Sequence, residues 1–314
     1  MKYIIVFFIF ASFFSCKEFK ANQISIANYP NDKKIAVSFT FDDGCPSVFS
    51  TVVPLFDEYG YKATFFITPS QVKEKNWISW KALALKGYEI GNHSMSHRDL
   101  TELDSLGILE EVKRSKEMME EKLKIPIFSF APPHHKSNLK VDQVIFNYHA
   151  FSRAKEGFCK WYGWTSKTTQ QIFSNDIEKA IKKRDWFVPA IHGVGDCWEP
   201  IDKELLVFAL DYLKRNSDEI VVETLANIGK YKVEKGYTTL EVMDNPHGKF
   251  IKLITKQDSD FYNFPLTLVV NNYDFPKGFK IRNALGVQER GNDLLIKAIP
   301  GSVIEIAWSN ESPL

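Results

Sequence analysis

The run Ser38-Phe39-Thr40-Phe41-Asp42-Asp43-Gly44 sets an apolar, aromatic and β-branched stretch directly against two adjacent carboxylates and a glycine. Such a stretch reads as a buried strand until its last residues, where two charges need partners. At the mouth of a strand the pair can divide its labour, one carboxylate holding a metal and the other handling a proton. An Asp-Asp-Gly turn is common in loops, so the reading needs company. It finds some in Tyr88-Glu89-Ile90, a short strand that runs into Gly91-Asn92-His93-Ser94-Met95-Ser96-His97. Imidazoles at i and i+4, on a first helical turn or a loop entering one, face one side and suit a divalent cation. A third histidine, His192, closes Trp186-Phe187-Val188-Pro189-Ala190-Ile191 and precedes Gly193-Val194-Gly195. Chance accounts for any one of these strand ends far more easily than for all three, and the metal-site reading follows.

Working outward, short apolar runs alternate with amphipathic ones. Strands are expected at 35–41, 63–67, 88–90, 127–130, 148–152, 187–191 and 219–222. Helices are expected at 48–59, 79–86, 105–123, 142–147, 172–183, 203–215 and 223–231. The clearest is 105–123, with Leu106, Leu109, Val112, Met119 and Leu123 as its apolar stripe. Alternation of this kind implies parallel strands with right-handed crossovers. About seven units favour a barrel, whose strand C-terminal ends carry the chemistry. Asp42, Asp43, His93, Pro133, Arg153 and His192 all fall at such ends. From Tyr237 the pattern changes to short alternating segments separated by turns such as Asn245-Pro246-His247-Gly248, which predicts a small antiparallel β-sandwich. That unit would bind carbohydrate or brace the barrel.

Thr40-Phe41-Asp42-Asp43-Gly44, His93-Ser94-Met95-Ser96-His97 and Ile191-His192 resemble three signature motifs of the polysaccharide deacetylases, the NodB-homology domain of carbohydrate esterase family 4. The resemblance covers roughly Ile35 to Lys235. It implies an irregular (β/α)7 barrel and one divalent metal, commonly zinc, bound by Asp43, His93 and His97. It also implies Asp42 as catalytic base and His192 as catalytic acid. The implied reaction is hydrolysis of N- or O-linked acetyl groups from a carbohydrate, with the backbone N–H of His134, in the turn after Pro133, receiving the oxyanion.

The chain departs from the family in its third motif. Phe130-Ala131-Pro132-Pro133-His134-His135 has Ala131 where an arginine normally orients the base. A missing cation would raise the Asp42 pKa and loosen its carboxylate. Either activity is lost, or another cation fills the gap; Arg153 is the first candidate and Lys136 the second. The rival class of function, a non-catalytic glycan-binding lipoprotein on the same barrel, rests on Ala131. Smaller readings concern His134 and His135 as surface residues or ligands, His149 as a core polar group in a strand, and Asp196 as a turn residue or a partner of His192. Trp161, Trp164 and Trp198 are sugar platforms or core.

The chain has 314 residues, 44% hydrophobic and 14% aromatic, enough for one large domain and one small. A net charge of +1 gives no electrostatic footprint for nucleic acid. Met1-Lys2-Tyr3 and the apolar stretch to Phe14 read as an export signal too short to span a membrane. The signal ends at Ser15-Cys16, where the cysteine resembles the lipidated residue of bacterial lipoproteins. The expected layout is therefore signal peptide 1–16, tether 17–34, barrel 35–236 and β-sandwich 237–314, exported and anchored to a bacterial membrane through lipid on Cys16. Cys45, Cys159 and Cys197 remain; an odd number leaves one unpaired, and Cys45 with Cys197 or Cys159 with Cys197 are both open.

Overall fold

A computed structural model describes residues 24–154 and 159–308. The expected leader and Cys16 lie outside these residues, and no helix among the described residues is long and apolar enough to cross a membrane. The parts are, in order, β1 (Ile24–Ile26), β2 (Ile35–Val37), β3 (Thr40–Phe41), α1 (Val53–Tyr59), β4 (Thr64–Ile67), α2 (Trp77–Leu85), β5 (Glu89–Asn92), α3 (Ser105–Leu109) and α4 (Ser115–Leu123). They continue with β6 (Ser129–Phe130), α5 (Leu139–Tyr148), β7 (Phe151–Ser152), β8 (Trp161–Gly163), α6 (Gln170–Lys183), β9 (Trp186–Ile191), α7 (Lys203–Arg215), β10 (Ile220–Val222) and α8 (Leu225–Tyr237).

The strand expected over 35–41 breaks at Ser38-Phe39. Its first half, β2, lies between β10 and β9, and its second half, β3, between β4 and β9, all parallel. From β3 the sheet runs through β4, β5, β6 and β7 on one side and through β9 to β8 on the other. All pairings in this sheet are parallel and helices link β3 to β4, β4 to β5, β5 to β6, β6 to β7, β8 to β9 and β9 to β10, so that β4 and β9 are buried throughout. The expected parallel α/β arrangement is present, with nine strands in the sheet among the described residues. Backbone pairing does not join β7 to β8 among the described residues, so the ring is not closed by hydrogen bonds there.

The opposite end of the sheet is plugged by α8. Its first amides reach the starts of β4 and β5: Leu225 N–H donates to Thr64 Oγ1 at 2.9 Å and Ala226 N–H to Glu89 Oε2 at 2.8 Å. The half-buried Glu89 carboxylate thus caps a helix N-terminus, although burial outweighs its hydrogen bonds and raises its pKa. Farther along, Gly229 passes so close to Phe151 that a Cβ there would lie 2.7 Å from the ring.

The C-terminal strands are β11 (Thr239–Asn245), β12 (Gly248–Ile254), β13 (Leu266–Val270), β14 (Lys280–Arg282), β15 (Gly286–Arg290), β16 (Asp293–Ala298) and β17 (Val303–Ala307). They form two antiparallel sheets, β1-β13-β16-β15 and β11-β12-β17-β14, with a shared core of Ile251, Leu268, Ile296 and Ile306. This is the expected β-sandwich, with one addition. Ile24-Ser25-Ile26, inside the stretch expected to be a tether, pairs antiparallel with β13. Tyr231 of α8 enters the sandwich core and donates its hydroxyl to the Ala27 carbonyl at 3.0 Å. The sandwich therefore docks through α8 at the end of the sheet away from the strand C-termini.

Two helical expectations change in detail. The 105–123 helix is continuous but widens to a π-turn over Glu110–Arg114, and Leu106 faces solvent while Ile108 takes its place in the core. Helix α5 runs on to Tyr148, so His149 is not in a strand: its amide closes the helix on Ile145, and its buried ring meets Asn92 Nδ2 at 3.2 Å.

Candidate metal-centred active site

Strand β3 carries its pairing one residue beyond its end, because Asp42 N–H donates to the Ile191 carbonyl at 2.7 Å. The chain then turns through two left-handed residues, Asp43 at φ +65° and Gly44 at φ +65°. Aspartate tolerates that conformation through local hydrogen bonding. Gly44 is needed twice over, since a Cβ would also lie 3.0 Å from the Trp80 ring. The turn leaves Asp42 buried, 1% exposed, and swings Asp43 toward the end of β5.

There His93 and His97 wait, not on a helix but on a loop with left-handed Ser94 and His97, φ +67° and +61°. Side chains hold this loop. Asn92 Oδ1 accepts from Ser94 N–H at 2.9 Å, and Ser94 Oγ from His97 N–H at 3.0 Å. Glu111, on the π-turn, accepts from Ser96 N–H at 2.9 Å and from Ser96 Oγ at 2.5 Å, while its carbonyl takes Met95 N–H. The wide turn is thus placed against the loop it supports, as such bulges often are. Asn92 and Glu111 were not singled out in the sequence; their only signal is position, one beside His93 and one buried acid in an apolar stripe.

Asp43 Oδ1 stands 3.4 Å from His97 Nε2 and 3.6 Å from His93 Nε2, too far for good hydrogen bonds. Two ligands of a tetrahedral ion bonded at about 2.0–2.1 Å stand about 3.3 Å apart. Asp43 Oδ1 is buried and has no hydrogen-bond partner among the described residues. His93 Nδ1 is 2.7 Å from the Ala131 carbonyl, which fixes the tautomer and frees Nε2 as a ligand. Burial, ahead of the neighbouring charges, lowers the His93 pKa and keeps the ring neutral. The donor set fits a divalent cation.

Beside this trio, Asp42 pairs with Arg153, which follows β7. Arg153 Nη2 donates to Asp42 Oδ2 at 2.5 Å and Nη1 to Thr40 Oγ1 at 2.7 Å, and the guanidinium sits 4.9 Å from the Phe66 ring centre. Thr40 Oγ1 in turn donates to the Pro189 carbonyl. Burial pushes the Asp42 carboxyl up, but the Arg153 charge and hydrogen bond, with smaller electrostatic help from His93 and His135 when these are protonated, outweigh it and hold Asp42 at about 2. Oδ2 is taken; Oδ1 is free and buried. Lys136, the second candidate, bonds Asp99 at 2.6 Å on the surface instead.

The cleft encloses about 460 Å³ and is lined by Asp42, Asp43, His93, His97, His134, His135, His192 and Trp198. Pro133 is buried at the base of the turn that presents His134 and His135, both left-handed at φ +55° and +54°. His134 is exposed, as expected of a proline turn, although it lines the cleft, whereas His135 is half-buried. The His134 ring lies 4.7 Å from that of His97. His135 stacks on Trp161 at 4.2 Å and 26°, with burial first, and Arg153 next, pushing its pKa down to about 4. Two non-glycine residues in this conformation cost roughly 1 kcal/mol each, which the side chains must justify.

Trp164 is core, packed on Phe39 and Phe173, whereas Trp198 is 63% exposed at the rim and meets the His192 ring edge-on at 5.0 Å. Asp196 does not reach His192. It accepts from Ser47 N–H at 2.8 Å and from Ser47 Oγ, and Ser47 Oγ accepts from Val194 N–H at 3.0 Å. Next to this clasp Cys45 and Cys197 form a disulfide, leaving Cys159 free. The β3 turn and the Trp198 loop are thereby joined.

The sequence model described as polysaccharide deacetylase matches residues 29–149. Over 105 residues the chain is 32% identical to a peptidoglycan-N-acetylglucosamine deacetylase of Bacillus cereus, covering 33% of this chain and 48% of that protein. Over 336 residues it is 23% identical to a Bacillus gellan lyase, covering 92% of this chain and 13% of that protein. The chain thus spans less than half the length of these relatives. Among solved structures, a family 4 acetyl xylan esterase from Clostridium thermocellum in complex with a cobalt ion aligns with TM-score 0.48 and 21% identity, over 63% of this chain and 91% of that one. The match over residues 29–149 takes in the Asp-Asp-Gly turn and both loop histidines, so this part of the chain is similar to the polysaccharide deacetylase family.

Proposed function

We propose that the protein is a metal-dependent hydrolase that removes acetyl groups, N- or O-linked, from a carbohydrate. The observation that carries this is the convergence, in one cleft, of a cation-ready Asp43, His93 and His97 with a buried, arginine-held Asp42 and an open-sided His192. A divalent ion, zinc by the family resemblance, would polarise the acetyl carbonyl and lower the pKa of water at the site. Asp42 takes a proton from the attacking water at Oδ1, since Oδ2 is engaged by Arg153. The His134 backbone N–H, in the turn begun by Pro133, faces the charge that develops on the former carbonyl oxygen. His192 gives its proton to the departing amine or alkoxide, and Trp198 offers a flat apolar face to a sugar ring. The proton Asp42 gains and the one His192 loses balance over the cycle.

The test is acetate release from a panel of N- and O-acetylated oligosaccharides by the wild type, Asp42→Asn and His192→Ala. Release by the wild type and loss in both variants is expected, with His192→Ala losing more on amides, because an amine leaves less readily without its proton. Bound metal without acetate release from any glycan would instead favour a non-catalytic glycan binder. Export and attachment through lipid on Cys16 rest on the leader sequence; partitioning into a detergent phase that is lost in Cys16→Ala checks them.

A further inference from the structure

Asp42, His135 and His192 form a second cluster whose nearest ligand atoms all lie within 4.8 Å of one another. A single oxygen or nitrogen set among three such atoms comes within about 2.8 Å of each, an ordinary hydrogen-bond distance. We propose that His135 is a third catalytic residue, which with Asp42 and His192 cradles the heteroatom leaving the acetyl group. This inference rests on the hydrolase reading above and adds a residue to it.

A second cation is the rival occupant, and the surroundings oppose it. Arg153 already places a buried positive charge 2.5 Å from Asp42, and only one carboxylate oxygen remains. A neutral polar atom meets no such cost. The neutral His135 ring supplies one N–H and one lone pair, suited to an amide or ester heteroatom that is itself about to receive a proton. His135 exchanges no proton in the step: His192 supplies it, Asp42 holds the one taken from water, and His135 fixes the atom between them. Two further observations point to a chemical use for this side chain. Its ring is held flat against Trp161 at 4.2 Å, so it is set in place before substrate arrives. Its backbone is left-handed at φ +54°, where glycine would sit without strain, yet the residue is a histidine.

That last point supplies the test. His135→Gly suits the backbone, so the fold and the cation site should survive. Expected are an unchanged melting temperature within a few degrees, an unchanged metal content of one ion per chain, and kcat lower by about 10- to 100-fold with KM little altered. His135→Asn, which tolerates a left-handed backbone and keeps a donor and an acceptor, should recover part of the loss. Wild-type kcat in His135→Gly would overturn the proposal. So would two ions per wild-type chain falling to one in the variant, since the cluster would then be a cation site. If the wild type releases no acetate at all, the hydrolase reading fails and this inference falls with it; an active wild type with an equally active variant removes His135 alone.

Discussion

Arg153 and Asp42, 111 residues apart in the chain, meet as a buried ion pair, Nη2 to Oδ2 at 2.5 Å, with both side chains 1% exposed. The guanidinium reaches Asp42 from the strand end next to the one that Ala131 follows. Ala131 still serves the site, through the carbonyl that fixes His93.

Arg153→Ala should strand an unpaired buried carboxylate. Removing one partner of such a pair costs about 3–5 kcal/mol, so the melting temperature should drop markedly and acetate release should fall by about 100-fold or more. Arg153→Lys, a point charge without the fork that also bonds Thr40, should recover stability better than rate. Steady-state kinetics and thermal unfolding of the two variants check this; Arg153→Ala at wild-type kcat would show that Asp42 needs no orienting cation.

The Arg153 pairing could be anticipated because both residues end apolar runs, and in a parallel sheet run ends collect at one face. For the same reason Asp42, Asp43, His93 and His192 were legible as neighbours. Other features had no local signal. Strand β1 is three residues, Ile24–Ile26, whose partner β13 lies more than 240 positions away, and nothing in a polar leader marks it as a sandwich edge. His135 read as surface because adjacent histidines after two prolines look like a turn; only the left-handed backbone aims the ring inward. Helix α5 outran its expected end because His149 is a buried helix terminus, not a strand residue, and local periodicity does not distinguish the two.

The Cys45–Cys197 bond and the Ser47–Asp196 clasp tie the Trp198 loop to the turn that carries Asp42 and Asp43. The bond closes a loop of 152 residues, for which the chain-entropy account gives at most about 5 kcal/mol. Cys45→Ala with Cys197→Ala should therefore lower stability and raise KM about 10-fold while kcat changes less. Trp198→Ala should raise KM similarly without the stability loss, because the ring is exposed. A double variant with unchanged KM would show that the loop holds its place without the cross-link.

Glu234 of α8 is fully buried where the helix meets the sandwich, with Oε1 accepting from Phe264 N–H at 2.9 Å and Oε2 unpartnered. Burial raises its pKa to about 7, against smaller lowering by the Phe264 hydrogen bond and Lys230. The folded state then holds this proton more tightly than the unfolded chain. The stabilising contribution is present below about pH 4.5 and is lost as pH rises toward 7, at most about 3 kcal/mol. Glu234→Gln cannot ionise, so its melting temperature relative to wild type should climb between pH 5 and pH 8. A difference that stays flat across that range would contradict this.

The most direct test titrates metal-free protein with zinc while following acetate release from acetylated oligosaccharides, in the wild type and in Asp43→Asn and His93→Ala. Activity that rises to a plateau at one equivalent in the wild type, with neither variant responding at that concentration, is the predicted result. Acetate release that needs no metal, or that survives in both variants with the same one-equivalent endpoint, would mean that Asp43, His93 and His97 do not jointly hold the working ion.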